Sequence, residues 1–325
     1  MAAAILGTLD AQTYSRHSLH QIERDWYETN CYVDVWIEIL HSLGLEPLAC
    51  LPFTLGVDFE GDQWTFAKPS AYDLFSLYGI DVQELNLWRP LEEHALEQVG
   101  RRRFVLAELD AFYLPDTHGT DYHTKHTKTT VGINLIDPAA QKMGYFHNAG
   151  YFELSGADYV QLFPATPVQG ALPPYVEFAK CSELRRLPAE ILVQQSLALL
   201  HIHLRRLPRV NPGVAFSRRF AQDVERLQSG QLQDYHAYAF ANLRQLGGAF
   251  DLASHYLRWL ERHGEKHLTP ISNEFDRISS TAKALVLKTA RASVTRKTAD
   301  FGPMLTTIGS SWASGMEQLC ARYGR

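Results

Sequence analysis

Cysteine is scarce in this 325-residue chain. Its four cysteines, Cys31, Cys50, Cys181 and Cys320, are far apart, and no two of them form a CxxC pair. This spacing excludes a zinc knuckle and a thioredoxin-type motif. A disulfide framework is unnecessary as well, because a chain of this length can bury the hydrophobic cores of about two domains. We therefore expect reduced thiols, as in a cytoplasm.

Long apolar runs and excess positive charge are also missing. No stretch approaches the roughly 18 apolar residues that cross a bilayer. The N-terminus reaches Asp10 without a basic residue, which is unlike a signal peptide. The 31 Lys and Arg residues stand against 36 Asp and Glu residues, so the net charge is −5. We expect a cytoplasmic protein with no membrane partner and no general nucleic-acid partner.

Hydrophobic periodicity divides the chain into two parts. Short β-prone runs and short helices alternate over 1–165, and prolines interrupt the stretch 166–189. Helical periodicity dominates 190–325. The sequence therefore predicts an α+β domain, a Pro-rich connection and an all-α domain. The predicted helices of the last domain cover 190–206, 232–263, 271–292 and 303–322.

The first domain contains one strong helix and one hairpin. Asn30 can cap a helix over 31–43, and Gly44 suits its C-terminal stop. Apolar residues surround most of this helix, which predicts that it is buried. Residues 104–113 alternate like a half-buried strand. Residues 128–136 and 143–148 are β-prone and flank a turn, so we expect them to pair.

Cys31 is the candidate nucleophile. It opens the predicted helix, where unpaired backbone N–H groups and the helix dipole favour a thiolate. An inert core cysteine is the alternative. A nucleophilic cysteine also needs a base, and His126, at the head of the strand, is the candidate. His123 competes with His126 for this role.

Asn148 closes the strand that neighbours His126 in the predicted hairpin. Its side-chain oxygen would accept a hydrogen bond from the imidazole and fix the tautomer. His147 and Asp137 compete for this orienting role. A cysteine at a helix N-terminus, a histidine opening a strand and an asparagine closing the next one is the arrangement of papain-like enzymes. The sequence therefore predicts a Cys31, His126 and Asn148 centre.

Other residues could bind the substrate. The backbone N–H of Cys31, with the side-chain amide of Gln21 or Asn30, is the candidate oxyanion hole. An acidic cluster could recognise a cationic group, or it could be a solvated turn around Gly61. The cluster consists of Asp58, Glu60 and Asp62.

Arg244 stands among apolar residues beside Gly247-Gly248. The two glycines predict close packing against the first domain, and the alternative is a substrate channel in which Arg244 meets a phosphate. Basic residues on this half could form a docking face for an acidic carrier protein, or simply a solvated surface. They are Arg205, Arg206, Arg209, Arg218 and Arg219.

A zinc site is the main rival to the cysteine centre. Three histidines and two carboxylates fall within eleven residues, and a metal would make His126 a ligand. The spacing is that of a loop, whereas metal ligands usually come from helices or strands, so we expect no metal. The residues are Asp116, His118, Asp121, His123 and His126.

Six segments resemble a bacterial family catalogued as domain of unknown function 1839, and the resemblance covers nearly the whole chain. They are 20–35 (HQIERDWYETNCYVDV), 58–68 (DFEGDQWTFAK), 74–84 (LFSLYGIDVQE), 110–130 (DAFYLPDTHGTDYHTKHTKTT), 144–154 (GYFHNAGYFEL) and 235–247 (YHAYAFANLRQLG). More distantly, Cys31 in NCYVD, His126 in HTKTT and Asn148 resemble the butirosin-biosynthesis acyltransferase. The N-terminal domain of that enzyme is papain-like and passes an acyl group from a carrier-protein thioester to an amine.

This resemblance implies a cysteine-dependent acyltransferase. It would move an acyl or aminoacyl group from the phosphopantetheine thioester of a carrier protein to a small-molecule or peptide amine, through acyl-Cys31. The chain itself would bind no cofactor, because the partner carries the phosphopantetheine arm. One alternative is a cysteine amidase or peptidase, which admits water to the same acyl-enzyme. Another is a protein that binds a carrier protein or peptide without turnover.

Overall fold

The computed structural model describes residues 2–164, 170 and 172–324. The chain forms two compact units. The first comprises Met1–Gln21, Cys31–Leu45 and Ala71–Arg186, and the second comprises Ile22–Asn30, Glu46–Ser70 and Leu187–Arg325. Two stretches of the N-terminal half thus belong to the unit that holds the C-terminal helices. A division of the sequence at 165–190 does not anticipate this exchange.

The first unit is built on an antiparallel sheet. Its strands in the described residues are β1 (Ala3–Ala4), β2 (Asp81–Glu84), β3 (Arg103–Asp110), β4 (Lys128–Asp137), β5 (Lys142–His147), β6 (Gly150–Ser155) and β7 (Val176–Lys180). They pair in the order β2-β7-β3-β4-β5-β6, and β1 adds to β4. The helices of this unit are α1 (Cys31–Ser42), α2 (Ala71–Tyr78), α3 (Leu91–Gly100) and α4 (Ala157–Leu162). The predicted mixture of helix and antiparallel strand is confirmed.

Helix α1 and its stop are as predicted. The backbone of Gly44 is left-handed, with φ 68°. Its N–H donates to the carbonyl of His41, and the N–H of Leu45 donates to the carbonyl of Leu40, both at 2.9 Å. These two bonds form a Schellman motif, which satisfies the last carbonyls of the helix.

Helix α1 packs across the centre of the sheet, over β4. A Cβ atom at Gly132 would lie 2.9 Å from Cδ1 of Ile39 and 3.0 Å from Cγ1 of Val35. The missing side chain therefore allows the helix to approach the strand. Val35 and Ile39 are both fully buried, which confirms that the apolar face of α1 belongs to the core.

The predicted hairpin is also confirmed, because β4 and β5 pair. The stretch 166–189, predicted as a connection, includes a strand of the sheet. It contains β7, which lies between β2 and β3 inside the sheet. The five residues of β7 follow Pro173 and Pro174 closely, and so short a run shows too little alternation to predict a strand. Residues 166–169 and 171 of this stretch, and residue 165 before it, lie outside the described residues. The strand predicted over 104–113 ends at Asp110, where a 3-10 turn begins.

The second unit is helical. Its helices are α5 (Ala189–Leu204), α6 (Pro212–Ser229), α7 (Leu232–Tyr238), α8 (Gln245–Arg262), α9 (Thr269–Thr295) and α10 (Gly302–Tyr323). A π-helical turn, Ala239–Arg244, joins α7 to α8, so the helix predicted over 232–263 runs on through it. Helix α6 was not predicted from the sequence, although Asn211 followed by Pro212 is a helix-start signal, and Asn211 does accept from two N–H groups of the first turn. Within the described residues, no helix combines the length and the apolar character that crossing a membrane requires.

Gly247 and Gly248 mark a close approach, as predicted, although the partner is the stretch 22–30 of the same unit. A Cβ atom at Gly247 would lie 2.1 Å from Cζ2 of Trp26. One at Gly248 would lie 3.0 Å from Cβ of Thr29. The indole N–H of Trp26 reaches the carbonyl of Ser279 at 3.4 Å, so the ring is held on both sides.

We expect Gly247→Ala to destabilise the protein by about 1–3 kcal/mol, because the added methyl group displaces the Trp26 ring from a filled site. The measurement is urea unfolding at pH 7. Gly100→Ala is the matched helical control, because a Cβ at Gly100 has nothing within 4 Å. That variant should be neutral or more stable by up to about 1 kcal/mol. Equal stability of the two variants would contradict the packing account.

Candidate active site

Cys31 is the first residue of α1, and its side chain is free and partly exposed. The first N–H groups of a helix have no intrahelical partner and carry partial positive charge. The predicted position of Cys31 is confirmed. Its nucleophilic role is a hypothesis that depends on a histidine base.

His126 pairs with Asp110. The imidazole Nδ1 lies 2.6 Å from Oδ2 of Asp110, and the ring stacks on Phe112 with centroids 4.3 Å apart. Oδ1 of the same carboxylate accepts from the N–H of Phe112 at 3.1 Å and from that of Thr127 at 3.3 Å. Because a carboxylate only accepts, Nδ1 carries the hydrogen, and Nε2 of the neutral ring is left as an acceptor. The side chain of His126 is 67% exposed, so Nε2 is accessible.

The hydrogen-bond partner of His126 in the structure is Asp110, whereas Asn148 was the partner predicted from the sequence. Asn148 lies in the turn after β5 with φ 42°. The register Gly132↔Phe146 places it beside Thr130. Thr130 is four residues, or about 13 Å, along β4 from His126. The end of β3 lies closer to His126 because Asp110 pairs directly with Lys128.

The dyad, defined here as His126 and Asp110, lies where β3 ends and β4 begins, and the register assigns Asp110 to the face of the sheet that α1 covers. Side chains alternate along a strand, and directly opposed residues of an antiparallel pair share a face. Asp110 opposes Lys128, which is on the same face as Gly132 beneath α1.

In the first turn of α1, the hydroxyl of Tyr32 donates to Glu177 at 2.7 Å. Glu177 opposes Leu106, which shares the face of Asp110. Among the described residues, no hydrogen bond joins Cys31 to His126.

His147, the competitor of Asn148, belongs to a separate buried network on the opposite face. Its Nδ1 lies 2.5 Å from Oδ2 of Asp116, and its Nε2 lies 2.8 Å from the hydroxyl of Thr129. The hydroxyl of Tyr145 donates to the other oxygen of Asp116 at 2.5 Å. Thr129 precedes Thr130 and therefore points to the other side of the sheet. His147 is thus fully engaged and does not orient His126.

The rival zinc site does not assemble in the structure. Asp116 is bonded to His147, Asp121 accepts from Thr127 at 2.6 Å, and His123 faces Asp158. The described residues contain no group of three or more His, Cys, Asp or Glu side chains that could hold a metal ion. The histidines of this loop therefore have separate carboxylate or aromatic neighbours.

The candidate oxyanion donors differ in availability. The side-chain nitrogen of Asn30 donates to the carbonyl of Ala67 at 2.8 Å and lies 3.4 Å from Oε1 of Gln245. Asn30 is also buried, so its amide is committed within the second unit. Gln21 is exposed at the end of a 3-10 turn, and its backbone N–H bonds to Ser18. The N–H of Cys31 remains the donor that the helix start supplies by itself.

The acidic cluster is a turn. Gly61 has φ 95°, and the N–H of Glu60 donates to the carbonyl of Gln63 at 2.8 Å. The hydroxyl of Thr65 donates to Oε1 of Glu60 at 2.9 Å. Partial burial raises the pKa of Asp58 above its usual value. Asp62 is exposed beside Gly61. These bonds favour the interpretation as a solvated turn over recognition of a cationic substrate.

Arg244 has a structural partner. Its Nε donates to the carbonyl of Thr29 at 2.8 Å, and its Nη2 lies 3.3 Å from both the carbonyl and the carboxylate of Glu28. The guanidinium therefore fixes the stretch 22–30 against the π-helical turn. This agrees with the packing interpretation of the FANLRQLGG segment.

A buried network of charged side chains lies under α1 and was not predicted from the sequence. His20 is fully buried and lies between the carboxylates of Asp34 and Glu38, with Nε2 3.4 Å from Oδ1 of Asp34 and Nδ1 bonded to Glu38. Glu38 also accepts from the hydroxyl of Tyr14. Burial opposes the charge of His20, but the two carboxylates outweigh it and raise its pKa to about 9. Burial likewise opposes the charge of Glu38, and its bond to His20 keeps its pKa below the usual value. Two acids four residues apart in an apolar helix were the available signal.

The fold and the site define a mixed α and β protein in which a helix that begins with cysteine covers a sheet face bearing a histidine and aspartate dyad. The DUF1839 N-terminal domain matches residues 15–181, and the DUF1839 C-terminal domain matches residues 189–321. The chain therefore belongs to the DUF1839 family, which confirms the resemblance found in the sequence. None of the curated proteins compared with the chain matches it.

Proposed function

We propose that the protein is a cysteine-dependent acyltransferase with Cys31 as nucleophile, His126 as base and Asp110 as the residue that orients the base. The His126 and Asp110 dyad, whose aspartate belongs to the sheet face that α1 covers, is the observation that carries the proposal. One nitrogen of the imidazole is held by a carboxylate, and the side chain is otherwise exposed, which is the form in which a histidine can serve as a base. We also propose that the first unit is papain-like, with Asp110 in place of the asparagine that the sequence suggested.

The chemistry requires two transfers. Nε2 of His126 takes the proton of the Cys31 thiol, and the sulfur attacks the carbonyl carbon of a thioester. The carbon–sulfur bond to the donor breaks, and the proton passes from His126 to the leaving thiolate. An amine then attacks acyl-Cys31, the amide forms, and the proton returns to the sulfur of Cys31. The proposed donor is an acyl or aminoacyl group on the phosphopantetheine arm of a carrier protein.

Intact-mass spectrometry tests this proposal. The protein is incubated with an aminoacylated carrier protein and, separately, with acetyl and aminoacyl thioesters of N-acetylcysteamine. We expect a mass gain equal to the acyl group in the wild type and none in Cys31→Ser. Cys320→Ser is the control, because Cys320 is also a free, partly exposed cysteine. It should retain the full mass gain.

The products separate acyl transfer from the alternatives. An amide formed when an amine is supplied supports the transferase, whereas free acid at the same rate with and without amine indicates an amidase or peptidase. No adduct with any donor would refute the proposed nucleophile. Complex formation with the carrier protein that is equally strong in Cys31→Ser would then favour a binding protein.

A further inference from the structure

A second imidazole lies in the same group of rings as His126. This ring cluster consists of Phe112, Tyr122, His123 and His126. His126 stacks on Phe112 at 4.3 Å, and the Phe112 centroid lies 5.3 Å from that of His123. His123 in turn stacks on Tyr122 at 4.0 Å, with the rings 19° from parallel. The two imidazoles therefore share Phe112 as a neighbour.

His123 has the same arrangement as His126, with the nitrogens exchanged. Its Nε2 lies 2.9 Å from Oδ1 of Asp158, and Oδ2 of Asp158 accepts from the hydroxyl of Tyr122 at 2.8 Å. The carboxylate only accepts, so Nε2 carries the hydrogen and Nδ1 of the neutral ring is an acceptor. The side chain is 53% exposed, so this nitrogen is accessible to a small molecule.

The backbone of His123 is held in an unusual conformation. Its φ is 53°, in the left-handed region, which costs free energy for a residue with a Cβ atom. The N–H of His123 donates to the carbonyl of Phe112 at 3.0 Å, which fixes this conformation next to the ring cluster. Strain of this kind is concentrated at functional sites. His118, in the same loop, is exposed, and its ring centroid lies 6.4 Å from that of Tyr122.

Transfer to a protonated amine removes two protons from its nitrogen. Near pH 7 an alkylamine is an ammonium ion and cannot attack until it loses a proton. After attack, the nitrogen must lose a further proton as the carbon–sulfur bond breaks. His126 can return that proton to the sulfur of Cys31. The first proton must go to another acceptor, which is either solvent or a second side chain, and a side-chain base in the site would accelerate this step.

We infer that His123, oriented by Asp158, is the base that deprotonates the ammonium form of the acyl acceptor. This inference rests on the proposed function and names the acceptor as a primary ammonium compound. Nδ1 of His123 takes one proton from the ammonium ion, and the neutral amine attacks the carbonyl carbon of acyl-Cys31. The nitrogen–carbon bond forms, the carbon–sulfur bond breaks, and His126 passes the second proton to the sulfur. His123 then releases its proton to water.

Two acceptors that differ in protonation test the inference. Cys31 of the full-length protein is first acetylated with p-nitrophenyl acetate, and the excess reagent is removed. Acetyl transfer to ethylamine, an ammonium ion at pH 7, is then compared with transfer to hydroxylamine, which is neutral. We expect His123→Gln to slow transfer to ethylamine by about 10²-fold, the lower end of general-base effects. Transfer to hydroxylamine and the acetylation of Cys31 should be unchanged.

The pH profile supplies a readout that a structural role would not change. In His123→Gln the ethylamine rate should simply follow the fraction of ethylamine that is neutral at each pH, whereas the wild-type rate should exceed that proportion near pH 7. Asp158→Asn should change the pH profile of the ethylamine rate towards that of His123→Gln. His118→Gln should leave the profile unaltered. Equal slowing of both acceptors, or of neither, would overturn the inference. The inference would also be overturned if the ratio of the hydroxylamine rate to the ethylamine rate were the same in the wild type and in His123→Gln.

The failures of the two proposals can be told apart. If p-nitrophenyl acetate places no acetyl group on Cys31, the nucleophile is wrong, and the role of His123 falls with it. If acetyl-Cys31 forms and reacts with both amines regardless of residue 123, the proposed function stands. The second base alone is then refuted.

Discussion

Replacing Asp110 with asparagine is expected to slow acylation of Cys31 by about 10²–10⁴-fold, the range of general-base contributions. The carboxylate oxygen that now faces Nδ1 of His126 would become an amide N–H. A donor there would force the hydrogen of the imidazole onto Nε2, the nitrogen that must accept the thiol proton. Oδ1 would still accept from Phe112 and Thr127, so the loop should keep its shape.

The measurement is the burst of nitrophenolate when p-nitrophenyl acetate acetylates Cys31. Asn148→Gly is the matched control, because glycine adopts the positive φ at that position without strain. It should acylate at the wild-type rate. The reverse result, a fast Asp110→Asn and a slow Asn148→Gly, would restore the triad predicted from the sequence and refute the one assigned here.

Removing the buried cation under α1 should have the largest effect on stability. His20→Gln leaves the buried carboxylates of Asp34 and Glu38 without their positive partner, which typically costs 3–5 kcal/mol, so about that loss is expected here. Chemical unfolding at pH 7 measures it. The exposed His118→Gln variant should stay within about 0.5 kcal/mol of the wild type. A loss of less than about 1 kcal/mol in His20→Gln would show that the pair is not ionised as described.

The sign of the pH dependence follows from the pKa of His20. That pKa rises from 6.5 in the unfolded chain to about 9 in the folded protein. The stabilisation is therefore complete below about pH 6.5 and is lost as the pH rises through about 9, which amounts to about 3 kcal/mol at 1.4 kcal/mol per pH unit. The stability difference between wild type and His20→Gln should shrink by about this amount between pH 7 and pH 10. A constant difference would contradict the assignment. The lowered pKa of Glu38 acts oppositely, so its contribution is lost as the pH falls.

Local pattern was enough for much of the fold. The helix over 31–43 follows from a continuous apolar surface and a glycine stop, and both are properties of a short segment. The hairpin of β4 and β5 follows from two β-prone runs and the turn between them. The position of Cys31 at a helix start needed no knowledge of distant residues. His126 was found for the same reason, because it precedes a recognisable strand.

Residues that meet across the sheet could not be found in this way. Asp110 is sixteen residues before His126, and only the register of β3 against β4 brings the two together. Asn148 fitted the sequence equally well, since both β3 and β5 lie beside β4. Register depends on which side chains fill the core beneath α1, and that depends on the whole sheet.

The sequence by itself determined most of the elements, the cysteine at a helix start and the family, because each is written in contiguous residues. Tertiary structure alone decided that β7 lies inside the sheet, that 22–30 packs in the helical unit, and that Asp110 orients His126. These outcomes depend on contacts between residues far apart in the chain. Such contacts form where the total burial of apolar surface is greatest, and no local pattern specifies that arrangement.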